Sequence, residues 1–308
     1  MKRKSIPLIG LLACHSGLLA QTVNYTVKDF TDKLSPCKLS LTTAFNVGLE
    51  AGILAQGAVG RLGYTAMYQQ AFSKNMFLAK ENVVNPENAS PVRYIEAGLD
   101  FFFSDRLREN RARVKVDYSS TSYSSKYFMA RCHKRKLTGL HGGLIRYRQT
   151  VSASDDANAE GLYNFETRQG VQPVQNQVYY FSTSSNYLFA GLVFKKVIKC
   201  TVNSGGWNYY RHYGRRIYLD ALIGGTSFQP VQSGGNEYAL ATRQPSPLGY
   251  RVGFEWDQMG VVTRIEIGQR PQRYAIALPG YNYFMLGFSF NFFKGDKTYA
   301  MSSKYTAD

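Results

Sequence analysis

The feature that most limits what this chain can fold into is strict period-two alternation, apolar against polar, repeated over segments of about ten residues. From Arg93 to Phe103, Ile95, Ala97, Leu99, Phe101 and Phe103 oppose Glu96, Gly98 and Asp100. From Ala112 to Tyr123, Val114, Val116 and Tyr118 oppose Arg113, Lys115 and Asp117. Further along, Ile217, Leu219, Ala221 and Ile223 oppose Arg216, Tyr218 and Asp220, and Tyr250, Val252, Phe254 and Trp256 oppose Arg251 and Glu255. Val261, Thr263, Ile265 and Ile267 oppose Arg264, Glu266 and Arg270, while Leu41 to Leu49 alternates against Thr42, Ala44 and Glu50. A helix could not keep either face uniform at this period.

Leu62–Phe72, Leu137–Arg148 and Tyr187–Ile198 alternate less cleanly, and with Phe284–Phe293 the count of strands reaches ten. Segments of this length match the roughly 9 to 11 residues that a tilted strand needs to cross a bilayer. No uninterrupted apolar run approaches the roughly 18 residues of a transmembrane helix. The fold class expected is therefore all-β, an antiparallel transmembrane β-barrel with long outer loops and short periplasmic turns. An even strand number puts both termini on one side. The aromatic content of 14%, with 23 Tyr and 19 Phe, suits interfacial belts. The competing fold is a soluble secreted β-sandwich, which would bury the same aromatic faces against a second sheet.

The first residues place Lys2, Arg3 and Lys4 ahead of an apolar run from Ile6 to Ala13 and a second at Leu18 to Ala20. That is the pattern of a secretory signal cleaved after Ala20. The string Leu11-Leu12-Ala13-Cys14 offers a rival, in which Cys14 is lipidated. Cleavage at Ala20 lowers the net charge from +16 to +13 and still leaves a basic chain. An exported basic protein meets anionic lipid and lipopolysaccharide first; no nucleic-acid motif is present. Cys37, Cys132 and Cys200 would remain, an odd number with no CxxC spacing, compatible with one disulfide and a spare thiol.

Connections sort by length. Gln258-Met259-Gly260 reads as a tight periplasmic turn, and Ala153–Gln177 and Gln232–Ser246 as long outer loops. Ser73–Pro91 resists this sorting, because ten strands so drawn put it on the periplasmic side; eight or twelve strands remain open. At the end of the chain, Tyr283-Phe284-Met285-Leu286-Gly287-Phe288-Ser289-Phe290-Asn291-Phe292-Phe293 resembles the β-signal of Gram-negative outer-membrane proteins. The resemblance implies that Phe284, Leu286, Phe288, Phe290 and Phe292 form the face read by the outer-membrane assembly machinery. Three parts follow: a signal peptide (1–20), a barrel (21–293) and a polar C-terminal tail (294–308).

Assigning polar faces to the lumen collects Arg113, Lys115, Arg146, Arg148, Arg216, Arg251, Arg264 and Arg270 with Glu50, Glu96, Asp100, Asp117, Asp220, Glu255 and Glu266. Open aqueous channels belong to barrels of roughly 16 to 18 strands. Buried charges persist only when paired, so the expectation is a lumen closed by ion pairs. Catalytic, cofactor and metal motifs are absent: there is no Gly-x-Ser-x-Gly elbow and no HExxH, and His133, His141 and His212 have no catalytic setting. His141 within His-Gly-Gly reads as part of a strand kink. The functional expectation is a non-enzymatic structural, assembly or surface-interaction component of an envelope, with an envelope protein as partner. The alternative is a narrow porin-like channel for small polar solutes.

Overall fold

The computed structural model describes residues 23–31, 34–45, 49–72, 91–115, 127–154, 162–164, 169–170, 178–204, 207–233, 236–240, 247–258, 260–271, 282–294 and 301–307. The proposed signal peptide, with Cys14, lies outside them, as does Asp117. In chain order the strands are β1 (Val23–Asp29), β2 (Lys38–Phe45), β3 (Leu49–Val59), β4 (Leu62–Ala71), β5 (Arg93–Lys115), β6 (Tyr127–Ser154), β7 (Leu162–Asn164) and β8 (Gln169–Gly170). There follow β9 (Val178–Ser204), β10 (Trp207–Phe228), β11 (Val231–Ser233), β12 (Asn236–Leu240), β13 (Leu248–Gln258), β14 (Val261–Gln269), β15 (Asn282–Lys294) and β16 (Met301–Ala307).

Ten of them close into an antiparallel barrel in the order β2-β3-β4-β5-β6-β9-β10-β13-β14-β15, with β15 returning to pair β2. Closure of a single ring rules out the sandwich. The connection segments also hold a small sheet, β11-β12-β7-β8.

Ten strands were expected, but not these ten. The alternation over Leu41–Leu49 predicts one strand, whereas β2 ends at Phe45 and β3 begins at Leu49. Strand β3, LEAGILAQGAV, was not expected, because Ala51, Gly52, Ala55 and Gly57 blur the contrast between its faces. Conversely, Ala112–Tyr123 is not a strand of its own: Ala112–Lys115 is the far end of β5, and 116–123 lie outside the described residues. The missed strand and the surplus one cancel in the count. The strands between change direction accordingly, so β4, β6 and β14 end, and β5, β9 and β15 begin, at one end of the barrel. The tight turns at Gly60 and Gly260, with β1 and β16, lie at the other end. Both glycines adopt the left-handed backbone, at φ 59° and 91°, that such turns demand.

Around the barrel the alternation resolves in one sense. Large apolar side chains are exposed on all ten strands, among them Phe45, Ile53, Leu62, Leu99, Leu144, Leu188, Leu219, Tyr250, Ile265 and Phe284. Polar and charged residues turn inward. Phe45, Phe72, Tyr250 and Phe284 lie toward one rim, and Phe101, Phe103, Trp256, Phe290 and Phe292 toward the other, with Ile53, Ile95, Leu219 and Ile265 between.

Four strands, β5, β6, β9 and β10, run well past the rim on the terminal side and form an extension. There the faces exchange roles. In β9 the buried residues are Phe181, Thr183, Ser185, Tyr187, Phe189, Val193 and Val197, and then Ile198, Cys200 and Val202. The ladder to β10 nonetheless runs without a shift from Thr183↔Phe228 to Ser204↔Trp207. The face that looks outward from the barrel has become the inside of the extension. In β5 a β-bulge between Phe102 and Ser104 shifts the register against β6, and beyond it no described residue of that strand is buried.

The extension's apolar cluster joins Tyr25, Val27, Ala130, Cys132, Ile198, Cys200 and Val202, with Tyr209 and Tyr213 packed against it. Tyr25 and Val27 come from β1, which pairs β9 on one side and β16 on the other. Within the polar 294–308 stretch, then, residues 301–307 form a strand against the first one described. The ladder between β6 and β9 ends at Arg135↔Val197, and β1 enters the fork that opens there. Asp29 accepts from the His133 backbone N–H at 2.7 Å and from Thr31 N–H at 2.9 Å. From the fork the chain crosses the barrel mouth to β2. Ser35 O accepts from Ala58 N–H, Pro36 O from the Tyr64 hydroxyl, and Leu34 packs against Phe102, Leu137, Val193 and Tyr218.

Candidate functional site: the charged lumen

The lumen is built from the inward residues of β5, β6, β10, β13 and β14. Arg251 is 0% exposed; its Nε donates to Asp220 Oδ2 at 2.7 Å, and its Nη2 lies 3.0 Å from Glu96 Oε1. Arg264 Nη2 donates to Glu96 Oε2 at 2.9 Å and to Glu266 Oε2 at 2.6 Å. Nearer the terminal mouth, Arg216 donates to Asp100 at 3.0 Å and to Glu255 at 3.1 Å. Tyr94, Tyr218 and Tyr283 donate their hydroxyls to Glu96 or Glu266. Moving a carboxylate or guanidinium out of water costs several kcal/mol per ion, and only such dense pairing offsets it.

Many of these contacts cross the barrel. In the ring, β14 stands five strands from β5, so the Arg264–Glu96 pair spans the bore. Arg251 to Glu96 and Arg216 to Asp100 tie β13 and β10 to the same strand. The Arg251 guanidinium also lies over the Phe189 ring at 4.1 Å. Gly253 makes space for the Tyr218 ring, since a Cβ there would fall 1.9 Å from it. That close approach lets Tyr218 reach Glu266.

His141 belongs to this network and is not merely part of a kink. Its Nε2 lies 3.0 Å from Arg216 Nη2, which can only donate, so Nε2 accepts and Nδ1–H donates to Asp220 at 3.1 Å. The sequence signal was available: His141 shares the inward parity of Ile145 and Tyr147. Toward the opposite rim, Arg270 lies between the rings of Tyr147 and Tyr283, at 3.9 and 4.4 Å. Glu50 is buried with neither carboxylate oxygen hydrogen-bonded among the described residues. At the terminal mouth Lys38 and His212 both approach Asp257, at 2.7 and 3.5 Å. A cavity of about 70 Å³ lies beside them, lined by Leu34, Lys195 and Glu255 among others.

Of the charges assigned to the lumen, Glu50, Glu96, Asp100, Arg216, Asp220, Arg251, Glu255, Arg264, Glu266 and Arg270 are buried inside the barrel. Arg113 is not: it is exposed on the extension, beyond the bulge in β5. Lys115 sits at the end of that strand, outside the barrel ring. Arg146 and Arg148 are exposed on the outer face of β6, because the inward parity there belongs to His141, Ile145 and Tyr147. With Arg113, Lys115, Arg146 and Arg148 out of the lumen and Asp117 outside the described residues, four buried arginines of that set face six buried carboxylates.

Phe284, Phe288, Phe290 and Phe292 are exposed and Leu286 half-buried on the outer face of β15, the strand that closes the ring. Among the described residues no trio of groups is placed to hold a metal ion. No family model and no curated protein sequence matches this chain.

Proposed function

We propose that this chain is an integral outer-membrane β-barrel of a Gram-negative envelope, non-enzymatic, serving as a structural, assembly or surface-interaction component. The observation that carries this reading is the inverted polarity of the barrel. Large apolar side chains stand exposed on all ten strands, while Arg216, Arg251, Arg264, Arg270 and six carboxylates turn inward. A soluble monomer rarely exposes an apolar patch beyond a few hundred Å². Lipid resolves this surface, and the roughly ten-residue crossings suit a bilayer core. The periplasmic side would be the one with β1, β16 and the tight turns, and lipopolysaccharide would meet the opposite rim. On this reading β15, with its row of phenylalanines, is what the assembly machinery inserts.

The pairing across the lumen supports a sealed barrel over an open one, since Arg251, Glu96, Asp220 and Glu266 fill its middle and Leu34 stops its terminal mouth. The work of such a barrel is done by its ends, through an envelope protein partner. Cell fractionation with heat-modifiable gel mobility tests the premise: the protein should enter the outer-membrane fraction and migrate faster unheated. Recovery in a soluble fraction would overturn it. Planar-bilayer recording then separates the sealed barrel, expected to carry no steady current, from the narrow solute channel.

A further inference from the structure

Three cysteines are free among the described residues, and two of them meet. Cys132 of β6 and Cys200 of β9 are each 3% exposed, inside the apolar cluster of the extension. The β6–β9 ladder closes with Lys136↔Lys196 and Arg135↔Val197, three residues short of both cysteines. β1 reaches the fork at this level, with Asp29 paired to Cys200. Both sulfurs face the cluster. The two thiols are neighbours in that cluster, and Asn110 Nδ2 donates to the Cys132 sulfur at 3.7 Å. Cys37 belongs elsewhere, beside Tyr64 at the start of β2.

We propose that Cys132 and Cys200 form a disulfide that staples β6 to β9 where their direct hydrogen-bonding ladder has ended. The oxidant is a second disulfide, on a small thiol compound or a thiol–disulfide oxidoreductase. The Cys132 thiolate attacks one sulfur of that disulfide, forming a mixed disulfide and releasing one thiolate. The Cys200 thiolate then attacks the Cys132 sulfur, forming the internal bond and releasing the second. Two thiol protons go to the two departing thiolates, so the oxidant leaves as two thiols and no other reactant is needed. The order of attack follows from the surroundings. The Cys200 thiol beside it, with the Asn110 bond, brings the Cys132 thiol down to about 7, so it supplies thiolate near neutral pH. The Cys132 thiol and burial push the Cys200 thiol up. Because both sulfurs are buried, exchange takes place as the extension folds, before β1 closes the fork.

Oxidative refolding tests this without reference to where the protein resides. The full chain is reduced, refolded into detergent in a glutathione redox buffer, trapped with an alkylating reagent and mapped by peptide mass. The expected result is a Cys132–Cys200 linked peptide, lighter by a pair of hydrogens than its two parts, with Cys37 alkylated. Any linkage to Cys37 should be at least ten-fold rarer. The variant Cys37→Ser should retain the link in full. Alkylation of both Cys132 and Cys200, comparable linkage to Cys37, or loss of the link in Cys37→Ser would each overturn the pairing.

Discussion

The barrel and its extension share four strands and have opposite polarity. In the barrel, β9 turns Leu188, Leu192 and Phe194 outward and Tyr187 and Phe189 inward; in the extension, the outward parity of the same strand supplies the buried Ile198, Cys200 and Val202. Nothing in its ladder with β10 shifts between the two. Alternation therefore says that a strand has two unlike faces, and the neighbours of each face decide which one is inside. Around the ring the large apolar side chains of the outer face stay exposed. In the extension the same face meets β1 and closes on itself. Arginine shows the contrast best, since Arg251 is locked inside the barrel while Arg113 stands exposed on the extension.

Substitutions can break that contrast at graded cost. The largest loss is expected for Arg251→Gln, which leaves Asp220 buried without its guanidinium and Glu96 with Arg264 alone; removing one partner of a buried pair costs about 3 to 5 kcal/mol. Denaturant unfolding in detergent should show the drop, and an unchanged midpoint would mean that the lumen charges are solvated. Next comes Leu219→Arg, placing a charge on the belt at about 2 to 4 kcal/mol near a bilayer midplane. It should cut the heat-modifiable yield in the outer-membrane fraction, whereas Asp220→Asn should insert. Equal yields would reverse the assignment of faces.

A smaller effect is expected for Gly253→Val, whose side chain would collide with the Tyr218 ring. Overpacking of this kind costs about 1 to 3 kcal/mol, read as a lower unfolding midpoint that Tyr218→Ala partly restores. No restoration would place the cost in the strand itself. The smallest effect should come from Arg113→Gln, within about 0.5 kcal/mol of the unchanged protein. A loss there matching that of Arg251→Gln would return Arg113 to the lumen and dissolve the distinction between the two regions.

By itself the sequence determined the strand chemistry and most of the lumen. Where segments such as Tyr250–Trp256 and Val261–Ile267 alternate with strong contrast, period two identified both faces, because a pleated strand has no other way to arrange its side chains. Hence Glu96, Asp100, Arg216, Asp220, Arg251, Glu255, Arg264 and Glu266 were legible as one inward set. Only the tertiary structure decided what depends on neighbours distant in the chain. It divided β2 from β3, whose glycines and alanines carry little contrast, and so reversed the direction of β4 in the ring. It carried β5 past the rim through a bulge, which took Arg113 out of the lumen. It brought His141 to Asp220, across 79 positions of sequence, and Cys132 to Cys200. The physical reason is the same throughout: local alternation is written in adjacent residues, whereas ring closure, strand length and the buried side of each face are settled by ladders between strands far apart in the chain.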